Sequence, residues 1–134
     1  EGTILHGTQA VLACTESTVP WTTVMIRKSF GVAAAAHYGP DGYVLAWPSS
    51  ESGPLPLEGG VAVAFKKEIA AAKDPEAKRK ELESKMAKNQ NPFPRAEAFS
   101  VHEIIDPRET RKYISLWAER IQHQLKASLI KNDS

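Results

Sequence analysis

The chain of 134 residues carries 17 basic and 16 acidic side chains, a net charge of +1, with 42% hydrophobic and 25% charged residues. This is a globular composition without a field of one sign, so neither nucleic acid nor a membrane surface is an expected partner. The apolar runs GVAAAA and VAVAF fall far short of the roughly 20 residues that cross a bilayer, and the single cysteine, Cys14, excludes an internal disulfide and a Cys-based zinc site and suits a reducing compartment.

Residues 2–16 read as a helix with Ile4, Leu5, Val11 and Leu12 on one stripe, stopped before Pro20. The chain opens as if already inside a helix, and a longer parent chain is expected. Cys14 reads as a small buried residue of that helix, because no His or cation is paired with it in sequence. TTVMI, residues 22–26, is rich in β-branched residues and predicts a strand with a polar exit at Arg27 and Lys28. Ser29 is the expected cap of a helix that runs through Ala33 to His37 and stops at GPDG.

Tyr43 to Trp47 predicts a second strand, and PSSESGPLPLEGG, residues 48–60, a loop. Val61, Phe65 and Ile69 recur at helical spacing, which predicts a helix over 60–72. Asp74 and Pro75 form a cap and a first-turn proline, followed by Glu76/Lys80 and Glu81/Lys85 as i,i+4 pairs on a solvated face. NQNPFPRAEAF breaks the pattern, and VHEII gives a short strand or extended turn. DPRE sets Asp106 as a cap with Glu109 at the capping-box position. The closing helix carries Ile114, Trp117, Ile121 and Leu125 on one face.

Helix, strand, helix, strand and three helices mean α/β layering. Two strands cannot cover the apolar stripes of five helices, so the chain is expected to be the last part of a larger domain.

Four histidines, at 6, 37, 102 and 123, lack ligand spacing, and no HExxH, CxxC or calcium loop appears, so no metal is expected in this segment. A nucleophile elbow, a Walker loop and a GxGxxG fingerprint are also missing. The stretch RKSFGVAAAAHYGPDG instead places small side chains where a strand hands over to a helix. Two readings fit it. Unpaired N–H groups at the helix start could hold an anion or a developing oxyanion, or the alanines could simply let the helix pack closely on the sheet.

The stretches GTILHGTQAVLACTESTVP, VMIRKSFG, AWPSSE, LEGGVAVAFKKEIAAAKDPEAKRKELE, NPF and VHEIIDPRETR together cover nearly the whole chain. In them the chain resembles the C-terminal part of the carboxyltransferase (β) subunits of biotin-dependent acyl-CoA carboxylases of the propionyl-CoA and acetyl-CoA type. The resemblance implies an α/β, crotonase-like fold, with residues 1–134 as the C-terminal portion of the subunit's second, C-terminal domain. It implies transfer of a carboxyl group from carboxybiotin to the α-carbon of an acyl-CoA, with two enolate-like oxyanions held by backbone amides, one in each half of the subunit. Decarboxylase subunits that share the fold are an alternative, as is a non-catalytic α/β module.

Matched to the family motif Ala-Tyr-Gly-Gly-Ala-Tyr, residues Ser29 to Ala34 imply that the Val32 and Ala33 N–H groups form the hole for the biotin oxygen, with Phe30 and Gly31 beside the substrate. Val32 stands where the family has its second glycine, so either the turn is conformationally ordinary there or biotin sits differently. Ala35 matches a position lining the acyl pocket and hints at an acyl chain longer than acetyl. Glu58, Gly59 and Gly60 match a loop near the site, although Pro56-Leu57 replaces the family's Gly-Pro. The implied cofactor is biotin on a partner, with acyl-CoA as substrate. The implied partners are a biotin carboxylase or biotin carboxyl carrier subunit, the remainder of the subunit, and further copies in a dimer-based oligomer, with a hexamer as one option and its size left open. The implied compartment is the bacterial cytoplasm or the mitochondrial matrix.

Overall fold

The computed structural model describes residues 2–39 and 42–132. Its centre is the strand Tyr43–Ala46 (β3), in which Val44, Leu45 and Ala46 are buried. Thr22–Met25 (β1) lies on one side and Glu103–Ile104 (β5) on the other, both parallel to it. A central parallel strand is covered on both faces, which is why it reads as an unbroken apolar run rather than an alternating one. Met25, Val44, Ala46 and Val101 form the core cluster, with Tyr38, Ala96 and Ile104 packed against it.

The same two segments pair a second time. Lys28–Phe30 (β2) runs parallel to Glu51–Gly53 (β4), with Lys28 opposite Glu51 and Phe30 opposite Gly53. Between the two ladders, Trp47–Ser50 folds into a turn closed by the Ser50 N–H on the Trp47 carbonyl at 2.9 Å. Glu51 then donates to the Arg27 carbonyl at 2.7 Å and restarts the pairing. Both short strands correct the sequence expectation, which gave 28–30 to a turn and helix cap and 51–53 to a loop. Three-residue strands made of Ser, Gly and charged residues have no period-2 signal to read.

The helices are Gly2–Glu16 (α1), Gly31–Ala36 (α2), Leu57–Ala64 (α3), Lys66–Ala71 (α4), Pro75–Gln90 (α5), Pro92–Glu97 (α6) and Thr110–Asn132 (α7). The predicted stripe of α1 is not buried among the described residues, since Ile4, Leu5 and Leu12 are exposed and only Val11 and Cys14 are partly covered. The single helix expected over 60–72 is two, broken at Phe65, whose φ of −112° and ψ of 22° leave the helical region. The first of them begins at Leu57, inside the predicted loop. The Pro40 and Asp41 part of the predicted GPDG turn lies outside the described residues.

Capping was more legible. Asp74 accepts from the N–H groups of Glu76 and Ala77 at 3.1 and 3.0 Å, and Asp106 from that of Arg108 at 2.9 Å. Glu109 makes no capping box; its carboxylate pairs with Lys112 at 2.9 Å. On α5 the Glu76–Lys80 pair forms at 3.4 Å, whereas Glu81 turns to Lys78 instead of Lys85. Lys78 also reaches Glu68 at 3.3 Å and ties α4 to α5.

Helix α6 was not expected. Asn91 caps it by accepting the Phe93 N–H at 3.1 Å, with Pro92 at its first position. At its end, Ser100 donates to the Arg95 carbonyl at 2.8 Å and Phe99 to that of Ala96 at 3.0 Å. This is the Schellman pattern, with Phe99 at φ 56° in the left-handed place that glycine usually fills.

Two substitutions test this architecture. Leu45→Ala, at a fully buried central site, is expected to cost ~2–5 kcal/mol in denaturant unfolding; a loss under ~1 kcal/mol would remove β3 from the core. Phe99→Gly is expected to stabilise by about 1 kcal/mol, because it relieves left-handed strain at a side chain that is 90% exposed. A measured destabilisation would contradict the assigned backbone conformation.

Candidate functional site

Helix α2 begins directly from β2, so its start is held by the ladder. Phe30 is the N-cap, with φ −122° and ψ 147°, and no side chain caps the helix. Ser29, the expected cap, instead places its hydroxyl 3.0 Å from that of Tyr38, which donates to Met25 Sδ at 3.3 Å. A helix start leaves its first amides without intrahelical acceptors. Among the described residues, the N–H groups of Val32 and Ala33 donate to no carbonyl outside the helix and to no capping side chain.

Gly31 makes the turn, with φ at 78°. Phe99 is the one described non-glycine residue with positive φ, so the backbone at Val32 is ordinary. Val32 is 74% exposed, so its side chain stands at the surface. Gly31, Val32 and Ala35 line a cleft of about 300 Å³ together with Ser29 and Tyr38. Gly53, Pro54 and Arg95 complete its lining.

The other predicted residues serve this cleft or lie away from it. Phe30 does not line it; its ring lies beside Gly53, where an added Cβ would come within 3.7 Å of the ring. Ala33 is exposed on α2 and is not among the described residues that line this cleft. Glu58, Gly59 and Gly60 sit in the first turns of α3, not in a loop, and Gly59 and Gly60 are not among the described residues that line this cleft. Gly60 is buried, and a Cβ there would stand 2.9 Å from Leu55 Cβ, so close packing accounts for that glycine. Arg95 and the Ser29–Tyr38 hydroxyl pair were missed by sequence reasoning. A lone arginine between Pro94 and Ala96 was the available signal.

The model of the carboxyl transferase domain matches residues 1–133. The chain belongs to the carboxyl transferase domain family. The methylmalonyl-CoA carboxyltransferase 12S subunit of Propionibacterium freudenreichii subsp. shermanii is 39% identical over 118 residues, covering 85% of this chain and 22% of that protein. The mitochondrial propionyl-CoA carboxylase beta chain of Rattus norvegicus is 37% identical over 118 residues, covering 84% of this chain and 20% of that protein. A solved structure of transcarboxylase 12S, a hexamer assembly with methylmalonyl-coenzyme A and methylmalonic acid bound, aligns with TM-score 0.78 and 37% identity over 91% of this chain and 24% of that chain. The fold is therefore part of a crotonase-like carboxyltransferase domain, and the chain spans about a fifth of the length of the curated relatives it matches.

No helix among the described residues of this carboxyltransferase-family chain is long and apolar enough to cross a membrane, and none of its described residues form a group of three or more His, Cys, Asp or Glu fit for a metal. Among the described residues, a strongly shifted ionisable group stands at the sheet rather than at the cleft. The Tyr43 hydroxyl donates to the Glu103 carboxylate on β5. Burial first, and then that bond, push the Tyr43 hydroxyl up to about 12. The His102 ring lies beside it, tilted by 49° with centroids 5.2 Å apart, and its Nδ1 accepts the Val44 N–H at 3.0 Å.

A raised tyrosine pKa favours the neutral hydroxyl in the folded state. Its contribution to stability is thus whole below the unfolded value of about 10 and fades as pH rises through 12. The stability gap between the parent chain and Tyr43→Phe should stay level up to pH 10 and then close. A gap that widens with alkali would reject the Tyr43–Glu103 bond.

Proposed function

We propose that the chain is the biotin-facing portion of a carboxyltransferase subunit, and that the whole subunit transfers a carboxyl group from carboxybiotin to the α-carbon of an acyl-CoA thioester. Family membership supports the reaction class. The observation that carries the local reading is the pair of open N–H groups at Val32 and Ala33, beside a glycine and an alanine that leave the backbone accessible.

Carboxybiotin, bound on a partner, supplies the activated carboxyl group. This chain's work is electrostatic: the N–H groups of Val32 and Ala33 would hold the urea oxygen of biotin and stabilise negative charge on it. Donors fixed by the β2–α2 junction need no reorganisation as that charge develops, and each well-placed one is worth roughly 3 to 4 kcal/mol of barrier. The residues fit this role because the amides are unpaired, Gly31 has no Cβ and the Val32 side chain lies at the surface. No acidic or basic side chain is required to move a proton. Ala35 shares the cleft and leaves space for an acyl chain beyond acetyl, a preference worth only ~1–3 kcal/mol per position.

The same reading assigns a biotin carboxylase or biotin carboxyl carrier subunit, the remainder of the subunit and further copies in a dimer-based oligomer as partners, in bacterial cytoplasm or mitochondrial matrix. The acyl-CoA oxyanion hole belongs to the other half of the subunit, so these 134 residues alone are expected to be inactive.

Val32→Pro in the full-length subunit removes one donor without changing side-chain polarity. Its position in the first turn of α2 is one that tolerates proline, since that N–H has no helical acceptor to lose. Transfer to or from free biotin is expected to fall roughly 100- to 1000-fold, with acyl-CoA binding and oligomer size retained. Unchanged transfer in an intact assembly would rule out this amide.

A further inference from the structure

We propose that Arg95 makes the cleft beside α2 a carboxylate-binding site. The residue is firmly placed: its carbonyl accepts the N–H groups of Ser100 and Val101 at 2.8 and 3.3 Å, and the adjacent Ala96 packs against the core cluster. Its side chain lines the cleft with Gly31 and Val32, and its Nε is buried without a hydrogen-bond partner. Among the described residues Arg95 joins no ion pair.

A guanidinium does not escape this situation by losing its proton. A buried N–H without an acceptor calls for a partner, and among the described residues no Asp or Glu lines the cleft to supply one. The polar side chains that share the cleft, Ser29 and Tyr38, are neutral hydroxyls already bonded to each other. An incoming anion would therefore meet an uncompensated cation, and the planar fork of arginine matches a carboxylate. The volume of about 300 Å³ suits a carboxylate on a short carbon chain rather than a nucleotide.

This inference rests on the carboxyl-transfer reading for its ligand. The carboxylate could be the group under transfer, on the α-carbon of a 2-carboxyacyl thioester, or one at the far end of the acyl chain. The assembled full-length subunit, with Arg95→Gln and the charge-preserving Arg95→Lys, separates these by binding of propionyl-CoA, methylmalonyl-CoA and glutaryl-CoA.

In Arg95→Gln, affinity for one of the two carboxylate-bearing esters is expected to fall about tenfold or more, with propionyl-CoA within about twofold and Arg95→Lys in between. Loss of methylmalonyl-CoA assigns the transferred carboxyl; loss of glutaryl-CoA assigns the distal one. Unaltered binding of all three overturns the proposal. So does a uniform loss with a lowered melting temperature, the result expected if Arg95 only pairs with an acid elsewhere in the subunit. Should the parent subunit bind no acyl-CoA at all, the carboxyl-transfer reading fails, and sodium malonate becomes the probe. Malonate binding that Arg95→Gln abolishes still supports the carboxylate site, and its absence from the parent overturns it.

Discussion

Parallel pairing against Tyr43–Ala46 is the constraint on which the remaining structure depends. Once Thr22 faces Tyr43 and Met25 faces Ala46, the two chains leave the core together and meet again as Lys28–Phe30 and Glu51–Gly53. The second ladder exists because the first delivers its strands side by side, which explains how segments so poor in strand formers pair at all. It also fixes where α2 starts, since Phe30 is both the last residue of a strand and the cap of the helix. The open amides are thus held by the sheet, and indirectly by the core.

The sequence carried long-range periodicity well and short-range context poorly. Helices α1, α5 and α7 are long enough for their spacing and caps to show, and Asp74 and Asp106 cap where a Ser/Thr/Asp/Asn rule puts them. Strands β2 and β4 were illegible because their pairing is imposed by neighbours. Phe65 could not be recognised as a break, because its apolar side chain continues the helical spacing while its backbone leaves it. The apolar stripe of α1 was read correctly as a stripe, yet the described residues do not cover it.

At the site, the stretch from Gly31 to Ala36 stood out through what it lacks in side-chain volume, and the resemblance to carboxyltransferase subunits suggested a chemical meaning for that absence. Its geometry follows from Gly31, which takes the one backbone conformation in the motif that valine would resist. Arg95 was hidden for a different reason: it comes to the cleft through α6, a helix of six residues started by an Asn-Pro pair and closed by a left-handed phenylalanine. Tertiary placement alone puts it near residues sixty positions earlier in the chain.

The far wall of the cleft has a mechanical connection of its own. Gln90, buried at the end of α5, donates from Nε2 to the Leu55 carbonyl at 2.9 Å, and its Cγ lies 3.8 Å from where a Cβ on Gly53 would be. At 1.5 Å per residue, the 16 residues of α5 form a rod of about 24 Å. The rod is held near both ends, by the Gln90 bond and by the Lys78–Glu68 pair at 3.3 Å, so it backs the Gly53–Leu55 strip as a fixed support. Widening the opening on that side therefore means giving up the Gln90 bond or carrying α5 and the helices packed on it along.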